Sequence, residues 1–314
     1  MELALTVANQ ILIMFLLMGV GVALYKLKFF SDQTVKDLNN FVVVVVVMAA
    51  VIDPFTTSEY STERMKNLCV TLVLAILYNI VVIFLSNIIY TKKNMEAKIS
   101  LLSTVYPNSG FMAFPLLSAV FPSEGLFYGA IYIAVFNVFV WIHLVPLLSD
   151  EPKQNLKQFF KIISKNPVII AVVASICMYA LKIKLPEPIS VTVGYVAGLN
   201  TPLAMILLGV FVSKTNILKA FTNLKVYKVC FAKLFVMPML FLGAMKAISL
   251  VFPIEPMVAT CLLISTGAPT AGIVSIMCER FGIDTDYSIQ IMTLCTLLSI
   301  ISLPIVVYCA QIVM

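Results

Sequence analysis

The chain has 314 residues, of which 61% are hydrophobic and 11% charged, with a net charge of +6 and a mean hydropathy of +1.04. A soluble globule carries roughly a quarter charged residues, so this chain has too few to cover a water-facing surface. The positive charge does not point to nucleic acid, because the lysines are spread over many short segments.

Apolar runs bounded by charge, proline or glycine predict spans at 4–25, 35–53, 67–90, 97–121, 126–148, 166–185, 188–213, 225–250, 256–281 and 286–313. At about 20 residues per crossing the chain has room for about ten helices and little else. The expected fold class is therefore an all-α integral membrane protein of ten transmembrane helices. The first span has no basic segment before it, and Lys26 and Lys28 follow it, so it reads as a mature span and not a cleaved leader. In the second, the run Val42–Val47 reads as a lipid-facing or scaffold-packing face, and Asp53 before Pro54 is placed at the outer interface.

The fourth span is interrupted by Tyr106-Pro107-Asn108-Ser109-Gly110-Phe111-Met112-Ala113-Phe114-Pro115, and the ninth by Ser265-Thr266-Gly267-Ala268-Pro269-Thr270-Ala271-Gly272. Proline removes an amide donor and clashes with the preceding turn, and glycine is a poor helix former. Unwound backbone at membrane depth is costly unless it lines a protected cavity. A kink or close-packing point is the plain alternative for either break alone. Paired breaks in matching halves point to the substrate site of a secondary transporter. Each half-helix is about ten residues, or about 15 Å, so the second pieces start near the midplane. Their amide ends form an anion site without a formal charge, and Asn108, Ser109, Thr266 and Thr270 add neutral hydrogen-bonding groups. The carbonyl ends of the first pieces offer a cation site instead, but no acidic residue lies near either break.

Among the remaining polar residues, Asn137 in the fifth span reads either as a site residue or as an interhelical hydrogen bond. Lys233, about one-third into the eighth span, reads as snorkelling to the nearer face, with an intramembrane role as the alternative. The seven cysteines show no CxxC spacing and read as small buried packing residues. His143 is the single histidine, so no histidine-based metal cluster is expected, and neither is a cofactor. Gly282-Ile283-Asp284 superficially matches an intramembrane aspartyl protease motif, but no span interior supplies the second aspartate; an enzyme is not expected.

Lysine and arginine counts in alternate loops are 15 against 5, with Lys233 inside a span completing the 21. The richer set is expected to be cytoplasmic, which puts both termini outside a cell (inner) membrane. The basic segment 149–165 reads as a cytoplasmic, amphipathic segment against anionic headgroups. It divides the chain into residues 1–148 and 166–314, five spans each, so the second half inserts upside down relative to the first.

Asn108-Ser109-Gly110 with Pro115 resembles the fourth-helix signature of the auxin efflux carrier family. Ala268-Pro269 and Arg280-Phe281-Gly282-Ile283-Asp284 resemble its ninth helix, and Thr296 to Pro304 its tenth. Phe136-Asn137 with Trp141, and Asn166-Pro167, also fit. The likeness covers essentially the whole chain, departing from it at the valine run and at His143. It implies two inverted five-helix repeats whose helices 4 and 9 cross at the midplane. It also implies a scaffold of helices 1, 2, 6 and 7 beside a mobile bundle, and a homodimer through the scaffold helices. The implied activity is permeation of a small organic anion, a mono- or dicarboxylate such as malate, by an elevator-like cycle. The residues expected at the substrate are Asn108, Ser109, Gly110, Pro115, Asn137, Thr266, Gly267, Ala268, Pro269 and Thr270. Two alternatives stay open: a bile-acid-type sodium symporter, for which acidic ligands near the breaks are expected, and a non-transporting sensor on the same fold, for which an added signalling domain is expected.

Overall fold

The computed structural model describes residues 2–92, 94–122, 124–149, 156–214 and 217–314. In chain order the helices are α1 (Glu2–Lys26), α2 (Asp32–Thr57), α3 (Thr62–Ile89), α4 (Met95–Val105), α5 (Ser109–Val120), α6 (Gly125–Leu148) and α7 (Leu156–Ile163). Then come α8 (Pro167–Ala180), α9 (Glu187–Ser213), α10 (Ile217–Thr222), α11 (Leu224–Ser249), α12 (Pro256–Gly267), α13 (Ile273–Arg280) and α14 (Asp286–Val313). The starts are set by side-chain caps that satisfy amides with no helical partner. Ser31 accepts from Thr34 N–H, Ser61 from Arg64 N–H and Asn94 from Ala97 N–H. Asn166 accepts from both Val168 and Ile169, with Pro167 in the first turn.

Among the described residues seven helices are long and apolar enough to cross a membrane: Leu3–Lys26, Asp32–Thr57, Thr62–Ile89, Gly125–Leu148, Glu187–Ser213, Leu224–Ser249 and Asp286–Val313. The expected fourth and ninth spans are instead each built of two short pieces, α4 with α5 and α12 with α13. The expected sixth is the 14-residue α8. The outer surface is apolar, with Leu16, Val73, Phe84 and Ile301 all at least 60% exposed. A surface of that kind belongs against lipid.

Four π-helical turns occur among the described residues, at Val42–Val46, Ser109–Ala113, Val140–Leu144 and Ala232–Val236. The last three precede Pro115, Pro146 and Pro238. A proline ring collides with the carbonyl four residues back. Those carbonyls belong to Phe111, Ile142 and Leu234, each inside a widened turn, so the π turn relieves the clash without ending the helix. Val42–Val46 widens with no such proline. Its outer valines, Val42 and Val46, are buried, and Val43, Val44 and Val45 are exposed.

Helices α1 and α9 pack at backbone distance. A Cβ on Gly21 would overlap the Ile206 carbonyl, and one on Gly209 would overlap the Met18 carbonyl. Helix α2 packs on α8 and on the first half of α9, so α1, α2, α8 and α9 form one group. The other group is held by α3 on α6, α6 on α12, and α14 on both α11 and α12. Helix α1 also packs on α5 and α14 and so spans both groups. Of the segment 149–165, residues 150–155 lie outside the described residues, and residues 156–163 form α7, on which Phe160 is exposed.

Candidate functional site

The two breaks meet. Pro107 and Thr270 form an isolated antiparallel bridge. Asn108 N–H donates to Pro269 O at 2.6 Å, and Ala271 N–H donates to Tyr106 O at 2.9 Å. Two of the backbone amides expected to stand free are thus satisfied by the opposite break, because extended strands meeting antiparallel can exchange the groups that proline and glycine release. Asn108 also caps α5, accepting from Phe111 N–H at 3.3 Å.

Beside this bridge lies a cavity of about 270 Å³. Both half-helix starts contribute to its wall, through Asn108, Ser109 and Gly110 from α5 and through Gly272 and Ile273 from α13. Among the described residues no charged one is in the lining. Four asparagines are: Asn39, Asn108, Asn137 and Asn166. Asn137 and Asn166 bond each other at 3.2 Å, joining α6 to the start of α8, while Asn137 also donates to Ile133 O at 2.8 Å. The interhelical bond and the cavity position, weighed as alternatives for Asn137, therefore coexist. The wall reaches Asn39, Trp141 and Asn166, toward the helix ends nearest segment 149–165. Val43 and Val47 also line it, so the valine run has a cavity face besides its packing face.

The structure thus brings Asn108, Ser109, Gly110 and Asn137 together at one cavity. Pro115 and residues 266–270 lie behind it and are buried. Thr270 Oγ1 donates to Ser103 O at 2.8 Å, tying α12's break to the end of α4, and Thr266 Oγ1 turns back to Leu263 O at 3.4 Å. Asn200 was not anticipated. Buried in α9, it donates from Nδ2 to Gly110 O at 3.4 Å, a polar contact from one helix group to the break of the other. An asparagine inside an apolar span was the available signal. Asn39 gave none, because it lies on the polar first turns of α2.

Lys233 does not snorkel. It is fully buried, and Nζ donates to Thr266 O at 3.1 Å. Its place in the π turn of α11 aims the side chain at the open carbonyl end of α12, which offers an acceptor that the apolar surroundings do not. Cys230, Cys261, Cys278 and Cys295 are buried as expected of packing residues, but Cys69 and Cys177 are exposed; all seven are free thiols. His143 Nδ1 is 3.0 Å from the Tyr106 hydroxyl, which itself donates to Phe139 O at 2.8 Å. Since that hydroxyl has one proton, the Nδ1–H tautomer of His143 is the one that completes the pair. Among the described residues no three His, Cys, Asp or Glu side chains gather as a metal site.

At the far end of the bundle aromatic rings join the two helix groups. Phe127 of α6 lies tilted against Phe55 of α2 at 4.3 Å and meets Tyr179 of α8 edge-on at 4.9 Å. Tyr179 is fixed in turn, donating to Glu59 O at 3.0 Å and accepting from Ser61 N–H at 2.9 Å. Beyond these rings Glu59, Glu63, Arg64, Asn67, Glu124 and Glu255 surround a polar recess. Arg64 Nη2 pairs with Glu124 Oε1 at 2.7 Å, and Asn67 Nδ2 donates to Glu255 Oε2. Burial first, and then the charges of Glu124 and Glu63, hold the Glu255 carboxyl above the ordinary glutamate range.

A family model described as membrane transport protein, Mem_trans, matches residues 6–307. No curated protein matches the chain.

Proposed function

The chain belongs to the membrane transport protein family, that of the auxin efflux carriers, and on that premise we propose that it carries a small organic anion across the cell membrane by alternating access. The family is one of transporters and not of enzymes. The observation behind the anion is the cavity beside the crossed breaks: two half-helix starts and four asparagines in its wall and, among the described residues, no formal charge of either sign. Helix starts present amides and a positive dipole end, which favour a carboxylate and disfavour a cation. Among carboxylates we infer a mono- or dicarboxylate such as malate, from the family resemblance.

In this reading residues 1–148 and 166–314 are two inverted five-helix halves, and α4 with α5, α8, and α12 with α13 complete ten crossings. The group α1, α2, α8 and α9 is the scaffold, through which two copies pair; α3–α6 and α11–α14 are the moving bundle. In the same reading the cavity faces the cytoplasm, and Phe55, Phe127 and Tyr179 shut it on the outside. The lysine bias supports that orientation. A single cysteine at position 157 labelling from outside intact cells would reverse it.

The test is uptake into proteoliposomes, with labelled malate, malonate, succinate, lactate and acetate, under imposed proton or sodium gradients or none. Accumulation or exchange of at least one carboxylate is expected. Inserted, monodisperse protein that moves none of them would sink the reading.

A further inference from the structure

Lys233 is the one lysine, arginine, aspartate or glutamate that is fully buried among the described residues, and the carrier cycle proposed above does not use it. It belongs to none of the ion pairs found there, so no carboxylate neutralises it. Its Nζ instead meets Thr266 O in the last turn of α12. The Tyr78 hydroxyl points at the same oxygen, at 3.4 Å. The last carbonyls of a helix lack intrahelical donors and carry the negative end of its dipole. In carriers with broken helices, such carbonyl ends are where a coupling cation binds. The matching end of α4 is satisfied differently: Ser103 O accepts from the Thr270 hydroxyl and Tyr106 O from the Ala271 amide. One carbonyl end is closed by a threonine hydroxyl and a backbone amide, the other by a lysine amine and a tyrosine hydroxyl.

We propose that Lys233 is a tethered cation that occupies, at the carbonyl end of α12, the position a sodium ion would otherwise take, making the carrier independent of sodium. The inference rests on the carrier reading for its meaning in transport, though its test does not need transport. Lys233 touches no residue of the cavity wall through a hydrogen bond given above, so it is a positioning residue. It holds the end of α12 against α11, and its charge lies behind the crossover, where it favours an anion in the cavity. An ammonium on a four-carbon stem suits this place. It is compact, presents three donors, and cannot leave.

The test compares thermal unfolding of detergent-purified protein in sodium chloride and in choline chloride at equal ionic strength. The wild type is expected to unfold at the same temperature in both. Lys233→Ala, which leaves an ammonium-sized space beside Thr266 O, is expected to be less stable in choline and to regain about 2–4 °C in sodium, the shift for an ion at about ten times its Kd. Lys233→Met, filling the space without charge, should be destabilised and indifferent to sodium. Sodium stabilisation of the wild type would overturn the proposal whether or not the variants fold. Folded Lys233→Ala with no response to sodium would overturn it too. The carrier reading fails separately, by absence of carboxylate uptake in the wild type, and that outcome leaves the thermal comparison intact.

Discussion

Replacing Phe127 should unlock the closed end of the cavity. Its ring contacts Phe55 at 4.3 Å and Tyr179 at 4.9 Å, both on the opposite helix group, whereas its contact with Tyr128 is on its own helix. On the alternating-access reading proposed above, only the first two would be lost when the groups part. An aromatic pair contributes about 0.5–1.5 kcal/mol beyond its buried area, so together they hold the end shut by about 1–3 kcal/mol. Phe127→Leu keeps most of the apolar volume and removes both ring contacts. The population open at that end should then rise by about 5- to 150-fold. Val51 lies one turn deeper than Phe55 on α2 and is fully buried. A single cysteine there, in a cysteine-free background, should react with a membrane-impermeant maleimide from the Glu59 side faster by that factor. Phe127→Ala should give at least as large an effect. An unchanged rate in both variants would refute the view that these rings separate the cavity from the outer recess.

Asn108→Asp keeps the cap on α5, since aspartate caps as well as asparagine, but places a carboxylate in the cavity proposed to hold the anion. At about 5 Å and an effective dielectric near 20 the repulsion is about 3 kcal/mol, so carboxylate uptake should fall more than about 100-fold with insertion unchanged; uptake equal to wild type would remove Asn108 from the site. Gly21→Ala and Gly209→Ala each drive a methyl into a backbone carbonyl of the facing helix. Each should cost about 1–3 kcal/mol in chemical unfolding, whereas Gly243→Ala, with nothing within 4 Å, should be nearly silent. Glu255 binds its proton more tightly when folded than when unfolded, so the native state should lose stability as pH rises through the folded pKa and regain it as pH falls toward the unfolded value. Glu255→Gln should therefore raise the melting temperature at pH 7 and not at pH 4, a difference readable by scanning fluorimetry.

The breaks were legible because proline and glycine announce themselves locally. The window from Tyr106 to Pro115 contains every residue needed to see that a helix stops there. What the window lacks is the partner. Nothing near Asn108 reveals that its amide meets Pro269, far along the chain, or that Gly110 O meets Asn200. Lys233 shows the same limit more sharply. Its depth along α11 was readable and suggested snorkelling, but depth says nothing about rotation around the helix axis. Rotation, shifted by the π turn before Pro238, is what aims it at Thr266. The aromatic closure joins residues of three helices, each an ordinary apolar position in its own span. Long-range hydrogen bonds and ring contacts of this kind leave no periodic trace in sequence.

The bridge between Pro107 and Thr270 decides where the molecule can come apart. Two backbone hydrogen bonds and the Thr270–Ser103 bond stitch the first half of the chain to the second at their most interrupted points. All are buried, and breaking them would leave polar backbone without partners. The seam between the first and second parts of the chain is therefore held at its centre, and on the carrier reading proposed above a book-like opening along it is disfavoured. The weaker seam runs across both halves, between α5 and α6 on one side and α8 and α9 on the other. There the polar ties described are Asn166–Asn137 at 3.2 Å and Asn200–Gly110 at 3.4 Å. Both are long, neutral side-chain bonds, worth about 0.5–1.5 kcal/mol each. On the carrier reading proposed above, an anion held at both half-helix starts would ride with them as a single cradle, and its exposure would change sides without the atoms that hold it changing partners.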